Sequence, residues 1–349
     1  MKRSTLVNDT LDSYIKALSS SEKTFQISID SERETYLKNQ FYPSLKFAKT
    51  ISFTPYIFNS CSANCQFCSE RTQRKGLTID RSFWAKSLQY EQTLTDVLLR
   101  FKKHQLFLSI SGMEPSERVD MLTDIGIATS IFEKLGGMFS EKVMYSNLSG
   151  FANNNNKEIA AIMSNLRLTR IEASRHHFDE NLNQGIARFK REQNIQQNAI
   201  FQKVISQLSI HTPIRLTCVL QKSGICSATD VEKYVAWAKN MGIQDVVFRE
   251  LSHLPDTFVP NQTYHYINSH RIKLIDILHK LNNSFKLIEI KRGYYYLSFK
   301  FSFQNQVGVS FEVSDYEEMI KQHQSHLIKK LILYPNGKLC TDWNTFQNI

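Results

Sequence analysis

The chain has no run of about 18 apolar residues, so no segment reads as a membrane-spanning helix. Its opening, MKRSTLVNDTLDSYIKAL, lacks the apolar core and the small-residue cleavage site of an export signal. There is no low-complexity tract and no internal repeat beyond an alternation of strand-like and helix-like segments. Basic residues outnumber acidic ones, 43 to 33, for a formal charge of +10, yet no dense Lys/Arg tract stands out. Dispersed charge suits anionic partners in general and points away from a dedicated nucleic-acid groove. Only six cysteines occur in 349 residues, and three of them crowd into one short stretch. A disulfide scaffold would spread them, and a chain of this size needs none. With no export signal, the expected compartment is a reducing cytoplasm.

What is present is a globular composition. The 23 Phe, 14 Tyr and 3 Trp must mostly be packed, which excludes a wholly disordered chain. Strand signals fall at 51–58, 106–110, 142–146, 167–174, 213–220 and 245–251. Helical spacing separates them at 82–104, 119–135, 157–166, 186–208 and 229–242. Such alternation implies parallel strands joined by crossover helices. Six units predict an α/β fold, a partial (β/α)6 TIM-like barrel over 49–251. Residues 1–48 read as an N-terminal extension, with a short helix at 9–20. Residues 252–349 read as a C-terminal α+β cap: one helix at 266–283, then antiparallel strands, with Tyr334–Gly337 as a hairpin turn.

In wound folds of this kind the chemistry sits at the carboxyl ends of the strands. The odd polar clusters CSANCQFC, SGMEPS, SNLSG, SRHHFD and QKSGIC all fall there. The first is Cys61-x3-Cys65-x2-Cys68. Three thiolates on one loop can hold three corners of a cubic iron–sulfur cluster and leave one iron open. A structural zinc site is the alternative; it needs four closed ligands, with His104 or a distant histidine as the fourth.

These residues resemble the radical S-adenosylmethionine (radical SAM) superfamily. Cys61, Cys65 and Cys68 have that family's spacing, and Phe67 fills its aromatic position before the last cysteine. Ser111-Gly112-Met113-Glu114-Pro115 is similar to the family's Gly-Gly-Glu-Pro stretch, with Ser111 in place of a glycine and Met113 as an insertion-like departure. Ser146-Asn147 resembles its Thr-Asn-Gly segment, Ser174 its strand-four serine, and Arg215 its strand-five basic position. The resemblance covers about 50–251.

The resemblance implies a [4Fe-4S] cluster on Cys61, Cys65 and Cys68. It implies S-adenosylmethionine bound by Phe67, Ser111, Gly112, Met113, Glu114, Ser146, Asn147, Ser174 and Arg215. Reductive cleavage would give methionine and a 5′-deoxyadenosyl radical that takes hydrogen from a substrate. Flavodoxin or ferredoxin would supply the electron. Cys226 is a candidate hydrogen donor to a substrate radical; Cys218 and Cys340 read as packing. After residue 226 only Cys340 remains, so a second protein-held cluster is not expected. Arg175, His176, His177 and Asp179 are candidates for substrate contact. Arg249 and Glu250 read as substrate-orienting groups or as members of structural ion pairs. Within the family, modification of a peptide or natural product, by crosslinking or epimerisation, is placed first, and a nucleotide- or sugar-type metabolite second. A non-catalytic zinc- or cluster-binding protein is the reading from another class.

Overall fold

The structure is a computed structural model that describes residues 26–29, 35–58, 61–72, 75, 81–341 and 349. The helix expected at 9–20 lies outside the described residues. Strands β1 (Gln26–Ile29) and β2 (Tyr36–Lys38) precede β3 (Lys46–Ile57). The alternating part then runs through α1 (Tyr90–Arg100), β4 (Gln105–Gly112), α2 (Val119–Lys134), β5 (Met138–Ser146), α3 (Asn156–Leu166) and β6 (Arg170–Ser174). It continues with α4 (Glu180–Ala187), α5 (Asn198–Ser209), β7 (Ile214–Leu220), α6 (Ala228–Asn240) and β8 (Asp245–Glu250). Beyond these lie α7 (Gln262–His270), α8 (Leu274–Leu278), β9 (Phe285–Arg292), β10 (Tyr296–Phe303), β11 (Val307–Ser314), α9 (Tyr316–His323), β12 (Leu327–Leu333) and β13 (Leu339–Cys340).

Strands β3 to β8 lie side by side in chain order, every neighbouring pair parallel. This is the arrangement expected from the alternation. The strand sequences explain the two faces. In β7, Ile214, Leu216, Cys218 and Leu220 are buried in the main core, while Arg215, Thr217 and Val219 point the other way. In β4, Leu106, Leu108 and Ile110 are buried, and Phe107, Ser109 and Ser111 alternate with them, half-buried. The apolar set meets the helices, and the mixed set forms an inner face. Helix starts are fixed by side-chain caps. Asn155 and Glu158 form a capping box on α3, while Asp179, Ser227, Asn261 and Asp315 cap α4, α6, α7 and α9.

Three expected helices are shorter than their spacing suggests. The stretch 82–104 is a 3-10 turn, Arg81–Trp84, followed by α1. Phe83 packs edge-on against Tyr334 and Trp84 stacks on Phe58, which draws this segment away from a continuous helix. The stretch 186–208 breaks after Ala187, where Arg188 turns left-handed at φ 52°. There the Arg175 guanidinium collects the carbonyls of Ile195 and Gln196 instead. The stretch 266–283 divides into α7 and α8. The Glu250 carboxylate takes both the Arg271 guanidinium and the Leu274 backbone N–H at 2.7 Å, holding the break open.

The C-terminal region also departs from an antiparallel cap. β9–β10–β11 is an antiparallel meander, but β11 then pairs parallel with β8. At the opposite edge β12 pairs parallel with β3, and β13 folds back on β12 through the expected Tyr334–Gly337 turn. Both edges of the parallel run are thereby extended. The N-terminal extension contributes too: β1 pairs parallel with β9, and β2 antiparallel with β3. Among the described residues no helix is long and apolar enough to cross a membrane.

Gly112 shows how closely β3 and β4 are registered. Its φ is +128°, and a Cβ there would sit 2.2 Å from the Ile57 carbonyl oxygen. Gly112→Ala therefore costs at least about 3 kcal/mol from the combined clash and backbone strain. Gly185, inside α4, has open space at its Cβ; Gly185→Ala stabilises by about 0.5–1 kcal/mol through helix propensity. Urea denaturation of the two variants checks the opposite signs.

Candidate metal and cofactor site

The cysteine loop leaves β3 at its carboxyl end and is anchored from two sides. The Ser62 N–H donates to Glu117 Oε1 at 3.0 Å, and the Ser62 carbonyl accepts from Lys190 N at 3.0 Å. Asn64 N donates to the Ala187 carbonyl at 2.8 Å, and the Cys65 thiol reaches that same carbonyl at 3.6 Å. Phe67 meets the buried His176 ring edge to face, with centroids 4.9 Å apart. The break between α4 and α5 thus has a purpose: it presents the carbonyl that seats the loop.

All three thiols are half-buried and unbridged. Burial raises the pKa of each, to about 12 for Cys61 and Cys65. Glu114 adds to the shift at Cys61, and the neighbouring thiols Cys68 and Cys61 add to it at Cys65. The thiols are near enough to act on one another. A metal group here has to displace their protons on binding. The donor set, three soft sulfurs on a braced loop, fits an iron–sulfur cluster. Among the described residues no three His, Cys, Asp or Glu side chains gather on a single-ion position. His104 is not a fourth ligand. It sits just before β4, at the opposite end of the sheet, with Nδ1 against the Ala48 carbonyl at 3.0 Å.

Glu114, expected as a ligand for an ammonium, has another occupation. It is buried, and its Oε1 accepts from Ser116 N at 3.0 Å, Ser116 Oγ at 2.6 Å and Ser146 Oγ. Its Oε2 accepts from Asn147 N at 2.7 Å. Burial pushes its pKa up, while the donors from Ser116, Ser146 and Asn147 pull the other way. Ser146 spends its hydroxyl on this carboxylate. Asn147 stays nearer the loop, its Nδ2 donating to Cys61 Sγ at 3.6 Å and its Oδ1 accepting from Ser149 N at 2.9 Å. Met113 N donates to the Ile57 carbonyl at 2.9 Å, so the departure at Met113 is absorbed in the β3–β4 ladder. The structure thus brings Cys61, Glu114, Ser146 and Asn147 together. Ser111 and Gly112 end the adjacent strand, and Phe67 lies on the same loop.

Arg215 does not join them. It is the second residue of β7, toward the amino end, and its guanidinium is held by Glu172 through Nε at 3.0 Å and Nη2 at 2.5 Å. Ser174 ends β6, in register with Thr217. Cys226 is exposed beside Asp230, with Sγ 3.5 Å from Oδ2, and burial and that carboxylate raise its pKa. Cys218 is buried, its thiol 3.5 Å from the His176 carbonyl; Cys340 is buried in a cluster with Tyr56 and Tyr334.

The charged loop after β6 is largely internal support. Arg175 is buried, reaches Asn198 Oδ1 at 2.5 Å and lies over the Phe201 ring. Burial and the Arg175 charge lower His176 to about 4, so it is neutral, and it accepts from Val219 N. His177 Nδ1 accepts from Asp179 N.

Three groups escaped the sequence reading. Glu117 accepts from Ser62 N and from Ser149 Oγ at 2.7 Å, and so ties the cysteine loop to the turn after β5. Glu70, two residues past Cys68, accepts from the buried Tyr56 hydroxyl at 2.5 Å. Tyr316 packs, with Phe67 of the cysteine loop, against the apolar cluster of Leu251, Leu254 and Phe258. The Glu-Pro-Ser-Glu spacing was a usable signal for Glu117; nothing local marked the others.

No protein-family model and no curated protein matches the sequence. Solved structures with a similar arrangement exist at low identity. Native anSMEcpe with bound AdoMet is 11% identical with a TM-score of 0.40, over 57% of this chain and 50% of that one. Streptococcus suis SuiB is 13% identical with a TM-score of 0.46, over 86% and 61%. The Escherichia coli coproporphyrinogen III oxidase HemN, described as a radical SAM enzyme, is 10% identical with a TM-score of 0.41, over 77% and 53%. The match spans about half the length of the first of these.

Two outcomes are expected of this region. Glu117→Ala frees the Ser62 end of the loop, and hydrogen exchange across 61–68 accelerates while the strand amides of β4 and β5 keep their protection. Glu172 gives a pH signature. Burial opposes its charge, but Arg215 and Arg249 outweigh it and hold the carboxyl at about 2. Its folded pKa lies below the unfolded value, so its stabilisation is full above about pH 4.5 and is lost as pH falls toward 2. That contribution is about 3 kcal/mol. Urea midpoints measured from pH 7 to pH 3 should therefore fall more steeply in the native protein than in Glu172→Gln, which is weaker at pH 7.

Proposed function

We propose that this chain is a radical SAM enzyme. The observation that carries the reading is the Cys61-x3-Cys65-x2-Cys68 loop at the carboxyl end of the first of six parallel strands. The half-buried Glu117 braces it against the turn after β5, and the buried Glu114 ties the ends of β4 and β5 to each other. In this reading Cys61, Cys65 and Cys68 hold a [4Fe-4S] cluster, and S-adenosylmethionine binds across the ends of β4, β5 and β6. When bound, the two groups together supply a 5′-deoxyadenosyl radical that removes a hydrogen atom from substrate.

The protein's own part is placement. The Cys65 and Ser62 anchors fix the loop, and Phe67 and neutral His176 close its underside without adding charge. Glu114 keeps the β4 and β5 turns at a set spacing. Backbone carbonyls at Ser111 and Gly112 are the acceptors left for the methionyl ammonium, since the Glu114 carboxylate is filled. Asn147 and Ser174 present the remaining polar groups. Cys226, exposed at the start of α6, is the candidate hydrogen donor.

Modification of a peptide or natural product is the subclass placed first, and a nucleotide- or sugar-type metabolite stands second. The formal charge of +10 suits an acidic partner of either kind. A flavodoxin or ferredoxin is the proposed electron source. A crosslink removes two hydrogens from its substrate, and an epimerisation removes none.

The test is anaerobic reconstitution with iron and sulfide, then S-adenosylmethionine and dithionite, with 5′-deoxyadenosine read by mass spectrometry. The reading expects product from the native chain and none from Cys65→Ala. A chain that takes up zinc, builds no cluster and binds no S-adenosylmethionine would instead be the non-catalytic binding protein.

A further inference from the structure

The inner face of the sheet carries an arginine whose donors are not spent. In the interior ion pairs near it, each guanidinium gives two of its nitrogens to carboxylates. Arg215 gives Nε and Nη2 to Glu172, and Arg170 gives Nε to Glu172 and Nη1 to Glu141. Arg249, on β8, differs. Its Nε donates to Glu312 Oε2 at 2.9 Å, across the β8–β11 register. Nη1 and Nη2 have no hydrogen-bond partner among the described residues, and 33% of the side chain remains accessible. The guanidinium lies 5.6 Å from the Tyr145 ring centroid, and Tyr145 immediately precedes Ser146. Leu251, two residues past Arg249, belongs to a small apolar cluster with Leu254 and Phe258, and both Tyr316 and Phe67 of the cysteine loop pack against that cluster. The free fork of Arg249 and the cysteine loop therefore both lie at the carboxyl ends of the parallel strands, beside one apolar cluster.

We propose that Arg249 anchors a carboxylate of the substrate at this end of the sheet, with the Tyr145 ring beside it. That this is the reacting end of the molecule rests on the radical SAM reading. A guanidinium is permanently charged and matches a carboxylate bidentately. Glu312 already offsets part of its charge, so a monoanion suits the site better than a phosphate dianion. Glu312 is a positioning residue: it orients the fork and competes with the incoming anion.

The probe is phenylacetate, with phenylacetamide as its neutral isostere, titrated into the full chain by ligand-observed NMR. No turnover is needed, so failure of the radical reading shows separately, as absent 5′-deoxyadenosine. Phenylacetate is expected to bind in the millimolar range of a small ligand, and phenylacetamide about tenfold more weakly. Arg249→Gln should erase that preference and Arg249→Lys restore part of it. Glu312→Gln should tighten phenylacetate severalfold, which a purely structural ion pair would not do. Equal binding of acid and amide would overturn the proposal. So would absence of saturable binding, a preference that survives Arg249→Gln, or weaker acid binding in Glu312→Gln. Tighter binding of phenyl phosphate would overturn the carboxylate assignment.

Discussion

Glu114 and Glu117 impose the constraint on which the candidate site depends. Four donors converge on the buried Glu114 carboxylate from the 3-10 turn after β4 and the turn after β5. Three residues on, Glu117 reaches the cysteine loop and Ser149. One short turn thus sets the spacing of three strand ends. A buried carboxylate without such donors would be costly, and with them it becomes a rigid junction. The close approach of Ser116 to Gly150, where a Cβ would meet the Ser116 carbonyl oxygen at 2.0 Å, belongs to the same junction.

Below this junction the inner face changes character. Arg170, Arg215, Glu172 and Glu141 form an ionic floor in which every charge has a close opposite. Toward the carboxyl ends Arg249 keeps only its Nε pairing to Glu312, while Tyr56 donates to Glu70 two residues past Cys68. The gradient from satisfied to partly satisfied polar groups is what a binding site on a stable sheet requires.

The six parallel strands were legible because each is a short apolar run that ends in an irregular polar cluster, and because helical spacing separates them. The position of the cysteine loop after the first of these strands was legible from the same pattern. Pairings made at long range were not. Nothing within VGVSFEV or KKLILYP tells that β11 and β12 dock parallel on opposite edges of the sheet; local hairpin signals suggested antiparallel neighbours, which holds for β9–β10–β11 and β12–β13 only. α9 was missed although Asp315 caps it in sequence reach of Glu318. At the site, two side chains have partners that their residue type does not announce. Arg215 and Glu114 have the chemistry of ligand contacts, but Glu172 and the β5 turn use that chemistry first.

The central claim is an iron–sulfur cluster with one iron left open to S-adenosylmethionine by a loop of three cysteines. Its most direct test is electron paramagnetic resonance of the reconstituted, dithionite-reduced protein, recorded with and without S-adenosylmethionine. The account predicts a reduced four-iron signal whose g-values shift when S-adenosylmethionine is added, because the ligand enters the coordination sphere. A four-iron signal that S-adenosylmethionine leaves unchanged would contradict it.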